Sequence, residues 1–214
     1  LWEDEHVTVD TRRAVAHALG RVGVPVLVVA GNHDPLLPGG AWDRTELPAN
    51  VHLFGADGLA ERQLPGGVSL WGVSWGVRPL EAGFLSRPPT LDPERTNLLL
   101  LHGTSTRVAF FAEDGGHCPF DPVAVHAAGF ARCLAGHIHA ASDDGAVVYP
   151  GSPEPLDATE SGEHACALVE AAAGTVRVRL LPVNRRAAVE LRVECAGAGS
   201  SLELAERLDA APAH

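Results

Sequence analysis

Three short stretches hold the residues that could do chemistry. "AGNHDP", "LHG" and "AGHIHA" place Asn32, His33 and Asp34, then His102, then His137 and His139, each directly after an apolar run. Imidazole nitrogens combined with an amide or carboxylate oxygen suit borderline divalent ions such as manganese, iron or zinc. His137 and His139 would face opposite ways in an extended strand, but after Gly136 the chain has reason to turn. Each could then face a different ion of a pair about 3.5–4 Å apart, the arrangement used by phosphatases and nucleases. His33 sits beside the candidate ligand Asn32 and is free to be aimed at a substrate. Asp34 is placed to accept from its second ring nitrogen and so fix the tautomer.

Each stretch alone has a plain structural reading. A His after a strand is ordinarily a capping or core residue, "GNHD" is a serviceable turn, and "GHIH" is a short pair. Their combination, at three successive strand ends, is what argues for a site. His6, His17, His52, His126, His164 and His214 follow no such strand end and read as surface or core residues. His117, in the loop "EDGGHCPF" between two of the motifs, is placed to approach a substrate.

These side chains need a scaffold that brings separate strand ends together. "VPVLVVA", "NLLLLHG" and "ARCLAGHIHAAS" are continuous apolar runs, the mark of strands buried on both faces of a parallel or mixed sheet. In open α/β sheets ligands gather beyond the carboxyl ends of such strands. A helix is predicted from Val9 to about Val22, with Thr8 or Asp10 as N-cap. "VHLFG" and "VSLWGVSWG" read as short strands, and "DPLLPGGAWDRTELPAN" as a loop. "FDPVAVHAAG" reads as a short helix capped by Asp121, with Pro122 in its first turn. "HACALVEA", "TVRVRLLPV" and "AVELRV" alternate as antiparallel strands do. "SSLELAERLDA" closes the chain as a helix.

Composition bounds the rest. The 214 residues suffice for one domain with a sizeable core, and 46% are hydrophobic. No apolar run approaches the ~20 residues of a membrane span. The net charge of -11, carried against basic residues that are all Arg, disfavours non-specific wrapping of nucleic acid. It does not exclude a nucleic-acid enzyme, because bound cations or a partner subunit can reverse the local sign. Cys118, Cys133, Cys166 and Cys195 are widely spaced, with no CxxC, and read as buried or partly buried thiols. That reading favours the cytoplasm. "LWEDEHV" has neither the basic nor the apolar region of a secretory signal.

Taken as a set, "GNHD", "LLLLHG" and "AGHIH" resemble the third, fourth and fifth motifs of the calcineurin-like metallophosphoesterases. The following "VVYPGSPEPLDATESGEHACALVE", with "PVNRR" beyond it, resembles the DNA-repair branch, the D subunit of the SbcCD exonuclease and its counterparts. The resemblance implies an α/β fold, a four-layer β-sandwich flanked by helices. Residues 1–184 would be the nuclease core and residues 185–214 a C-terminal tail or the start of a small capping domain. It further implies that Asn32, His102 and His137 hold one metal and that His139 belongs to the other. His33 would be the general acid steered by Asp34, and two divalent ions, Mn2+ by implication, would be the cofactor. DNA and an SbcC-like coiled-coil ATPase are the implied partners, with dimerisation through helices of the core. The family's first two motifs, Asp-x-His and Gly-Asp-x-x-(Asp/Glu/His), are missing. Leu1-Trp2-Glu3 resembles the tail of the second, so the first strand or strands are expected to lie upstream of this chain.

Two other functions fit the same residues. One is a phosphodiesterase or phosphatase acting on small molecules. The other is a non-catalytic scaffold that keeps the fold with half of the metal site. Arg185, Arg186 and the strand "TVRVRL" offer a phosphate-tracking edge in the nuclease reading and a solvated sheet face in the plain one.

Overall fold

A computed structural model of the chain describes residues 1–78, 80, 83–108, 117–172 and 174–211. The first helix, α1 (Val9–Gly20), is capped as its sequence predicts, the Thr8 hydroxyl accepting from the Thr11 N–H at 3.1 Å. It leads into β1 (Val26–Val28), which pairs in parallel with β2 (Val51–Leu53). A second, six-stranded sheet is formed by β3 (Ala60–Leu64), β4 (Val68–Gly72), β5 (Thr96–His102), β6 (Arg132–Gly136), β7 (Ser142–Asp143) and β8 (Val147–Tyr149). Its spatial order is β3-β4-β5-β6-β8-β7, with the four inner strands parallel and both edge strands antiparallel. Helix α2 (Pro122–Ala127) is capped by Asp121 and sits between β5 and β6, as a parallel crossover requires. The long hairpin of β9 (Ala165–Ala172) and β10 (Thr175–Pro182) follows, and α3 (Ser201–Asp209) ends the chain.

The layering follows from period-two alternation in β5. Leu98 and Leu100 turn to one face, where they meet Phe54, Val68 and Leu70, with Leu27 and Val29 beside β1 and Val169 and Val176 of the hairpin. Leu99 and Leu101 turn to the other, against Val125 of α2, Phe130, Trp71 and Cys133. Both of these leucines are fully buried, so truncating either to Ala would cost roughly 2–5 kcal/mol. The outer face of β1 and β2 is covered in turn by Trp2, Trp42, Ala41 and Val15 of α1. The result is helix, strands, six-stranded sheet, helix, the four-layer α/β sandwich the sequence implies.

Two local expectations need correcting, and one strand goes unannounced in the sequence. "AVELRV" is not a strand; its backbone takes part in an isolated bridge between Ser161 and Ala188 and joins no sheet among the described residues. "AERQL" is a strand despite its charges. As the edge element β3 it needs only one ladder, to β4, and leaves its side chains in water. Cys118 and Cys133 are buried and free, as expected, but Cys166 and Cys195 are free and exposed. Helix α3 buries none of its residues and is tied to the preceding tail through Arg207, which donates to the Glu194 and Ala196 carbonyls. Among the described residues no helix is long and apolar enough to cross a membrane.

Candidate functional site

Strand register brings the motifs together. In the β5–β6 ladder His102 lies opposite Gly136, so His137 is the next residue beyond the same sheet edge. The β1 end is fastened to that edge by the chain running on from β4. The Ser74 hydroxyl donates to the Phe54 carbonyl at 2.6 Å and accepts from the Ala30 N–H at 2.9 Å. The Trp75 N–H reaches the Ala30 carbonyl, and its indole Nε1 donates to the His102 carbonyl at 2.7 Å. Asn32 and His102, 70 residues apart, therefore meet: His102 Nε2 lies 2.9 Å from Asn32 Oδ1.

The glycines that open two of the motifs make this approach possible. A Cβ on Gly31 would stand 2.7 Å from the His102 ring, and one on Gly136 would stand 2.9 Å from its Nδ1. The His102 imidazole thus lies in a slot that any larger residue at either position would fill. At the far side of His102 the chain turns at once: His137 has φ 100°, in the left-handed region, and its ring packs edge-on to His102 with centroids 5.2 Å apart. His137 also meets His117, again at 5.2 Å, and His117 lies 5.9 Å from Trp75. The sequence-based expectation that His117 approaches the site therefore agrees with its placement, although residues 109–116 of its loop lie outside the described residues. His33, His102, His137 and His139, with Ile138 and Ala140, line one cleft of about 460 Å3.

The remaining motif residues are held differently from what the sequence suggests. Asp34 is buried and does not face His33. Its carboxylate accepts from the Gly31 N–H at 2.7 Å, and so holds the turn that presents Asn32. The acceptor at His33 Nδ1 is Glu3, 3.0 Å away, on an otherwise exposed ring. His139 is half exposed and its Nδ1 is 2.5 Å from Glu160 Oε1. Glu3 and Glu160 are contacts that sequence reasoning missed. Neither lies in the three histidine-bearing stretches: Glu3 belongs to the tail that resembles the second motif, and nothing in residue spacing alone connects position 160 to position 139. The other histidines lie elsewhere: His52 packs edge-on to Phe54, His126 lies 3.1 Å from the Phe130 carbonyl, and His164 is buried beside Ser152. His214 lies outside the described residues.

Electrostatics favour ligation at His102. Burial first, then the neighbouring His137, His33 and His139, push its pKa down to about 3. The ring is therefore neutral at physiological pH, the form a cation requires. Glu160 is held below the ordinary glutamate range, first by the Leu156 N–H, then by the hydrogen bonds from His139 and Ser152. Asn32 Oδ1, His102 Nε2 and the His137 imidazole form an amide-oxygen and nitrogen donor set that fits one divalent ion of the manganese–iron–zinc group. Among the described residues there is no cluster of three or more His, Cys, Asp or Glu arranged as a metal site, so the amide of Asn32 is needed to complete even this set.

The lowered His102 pKa has a measurable consequence for the metal-free chain. The unfolded state takes up a proton near pH 6.5 and the folded state only near pH 3, so between these values unfolding binds protons. Stability is untouched above that window and falls as pH drops through it, by ~1.5 kcal/mol from this group between pH 6.5 and about 5. Urea melts at the two pH values measure the loss, and His102→Gln should flatten the slope. An unchanged slope in that variant would place the titrating group elsewhere.

No family model matches the chain. Over 169 residues it is 30% identical to a protein of Bacillus subtilis (strain 168) named "Uncharacterized metallophosphoesterase YhaO", a match taking in 74% of this chain and 40% of that protein. The chain thus spans well under two thirds of the length of the curated relative it matches. A mixed α/β sandwich whose parallel strands deliver Asn32, His102 and His137 to one edge agrees with that likeness, which supports the metallophosphoesterase superfamily for this chain.

Proposed function

We propose that this chain carries part of a metal-dependent phosphoesterase site, and that its substrate is the phosphodiester backbone of DNA. The observation that supports the reading above all others is the meeting of Asn32 and His102 at 2.9 Å, with His137 beside them, from three strand ends far apart in sequence. Divalent ions, Mn2+ in this reading, would supply Lewis-acid polarisation of a phosphoryl oxygen and a lowered pKa for an attacking water. Asn32, His102 and His137 would hold one of them. His139 is the ligand this chain would offer to the second ion of the pair that the motifs imply.

The chain's own residues then act on the substrate as follows. His33 presents an exposed ring at the rim of the cleft; as the imidazolium it keeps one proton on Nδ1 against Glu3 and delivers the other from Nε2 to the leaving oxygen, ending as the neutral ring. Asp34 contributes by shaping the turn rather than by touching His33. Buried Ile138, between His137 and His139, walls the cleft with apolar surface and limits water behind the phosphate. The choice of DNA and of a coiled-coil ATPase partner rests on the resemblance of "YPGS" and the segment after it to the DNA-repair branch, and the choice of a cytoplasmic setting on four cysteines that are all free. The net charge of -11 fits a protein that borrows its basic surface from a partner.

The intact protein supplied with Mn2+ is expected to hydrolyse bis(p-nitrophenyl) phosphate and to release nucleotides from linear DNA. EDTA should abolish both and added Mn2+ restore both. Cleavage of the small diester with DNA left intact would move the substrate to the small-molecule class. No hydrolysis of either with Mn2+, Fe2+ or Zn2+ would leave the scaffold reading.

A further inference from the structure

Beyond the cleft, the loop from Gly151 to His164 is stitched to the "GHIH" turn at both backbone and side chain. The Ser152 N–H donates to the His139 carbonyl at 3.0 Å, while Glu160 Oε1 takes His139 Nδ1 at 2.5 Å. The other carboxylate oxygen of Glu160 is itself anchored, accepting from the Ser152 hydroxyl at 3.1 Å and from the Leu156 N–H at 3.0 Å. Ser152 is braced in turn by buried His164, whose Nδ1 lies 2.8 Å from its hydroxyl and whose backbone N–H reaches Asn184 Oδ1. The side-chain contacts run from buried His164 through Ser152 and Glu160 outward to an exposed imidazole. Such a direction identifies which partner is fixed and which is being aimed.

We infer that Glu160 is the positioning residue of His139. A carboxylate only accepts, so it forces the proton of a neutral His139 onto Nδ1 and leaves the Nε2 lone pair for a cation in the cleft. An exposed His without this contact would sample several rotamers and both tautomers. A carboxylate behind an imidazole ligand removes both freedoms and raises the basicity of the ligand atom. The inference rests on the reading of His139 as a metal ligand, and it assigns Glu160 a part that the histidine-bearing motifs do not contain.

The test is a thermodynamic cycle of Mn2+ binding, read by calorimetry and by the electron paramagnetic resonance of bound Mn2+, in the intact protein. Glu160→Gln should weaken Mn2+ binding at the weaker site ~10–100-fold, the usual scale for losing such a partner. Glu160→Asp should recover part of that loss, and the melting temperature of Glu160→Gln should stay close to that of the parent. In a His139→Ala background the same change should cost nothing further. A full loss on His139→Ala with none on Glu160→Gln would overturn the inference and leave the proposed function standing. Unchanged Mn2+ binding in His139→Ala would remove the metal role of His139 itself, and the inference with it. Equal losses from Glu160→Gln with and without His139 would show a merely structural loop residue.

Discussion

Replacing His102 by alanine in the intact protein is expected to lower phosphodiester hydrolysis by about 10³-fold and to weaken binding of the ion held at Asn32, since a ligated metal contributes several kcal/mol to the transition state. The reason lies in how little freedom the ring has. It is wedged where Gly31 and Gly136 leave room for no Cβ, its Nε2 meets Asn32 Oδ1, and His137 packs on its flank. Removing it leaves the other two donors without a common partner. Stability should suffer less than activity, because folding already works against the ring's charged form; below about pH 6 the variant should resist acid better than its parent. Gly31→Ala should reproduce much of the loss by displacing the ring without removing it. Hydrolysis, Mn2+ titration and urea melts on the same preparations check this, with His52→Ala as a control that touches Phe54 and not the cleft. Full Mn2+ affinity in His102→Ala would dismiss the ring as a ligand.

His33→Ala should behave differently. Metal content should persist while kcat on DNA falls ~10²–10⁴-fold, the range for losing a positioned general acid. His33 is on the rim, its ring largely in water and paired at Nδ1 with Glu3, so it contributes nothing to holding the strands together. The loss should depend on the leaving group. A nucleoside alkoxide needs its proton and should show the whole effect, whereas p-nitrophenolate leaves readily unprotonated and should show little. Loss of metal together with activity would mean that His33 is a ligand instead.

Much of the fold is visible in the residues because burial leaves a local trace. "NLLLLHG" and "ARCLAGHIH" are apolar without alternation because β5 and β6 are covered on both faces, and the hairpin β9–β10 alternates because one face is in water. Thr8 and Asp121 announce their helices because a cap is a contact within a few residues. Edge strand β3 leaves no such trace: its five residues "AERQL" are mostly exposed, and its only reason to be extended is its partner β4. "AVELRV" fails in the opposite way, since alternation prepares a strand but cannot supply the neighbour it must pair with.

Taken alone, the residues determined which groups are available for chemistry, Asn32, His33, His102, His137 and His139, and that each stretch follows an apolar run. Side-chain type and hydrophobic period are properties of short windows, so they survive without a structure. Only the tertiary structure decided who faces whom. It turned Asp34 inward to hold a turn, put Glu3 behind His33 and Glu160 behind His139, and drew His117 against His137. Those pairings depend on sheet order and on the β5–β6 register, which set distances between residues that the linear chain leaves unrelated.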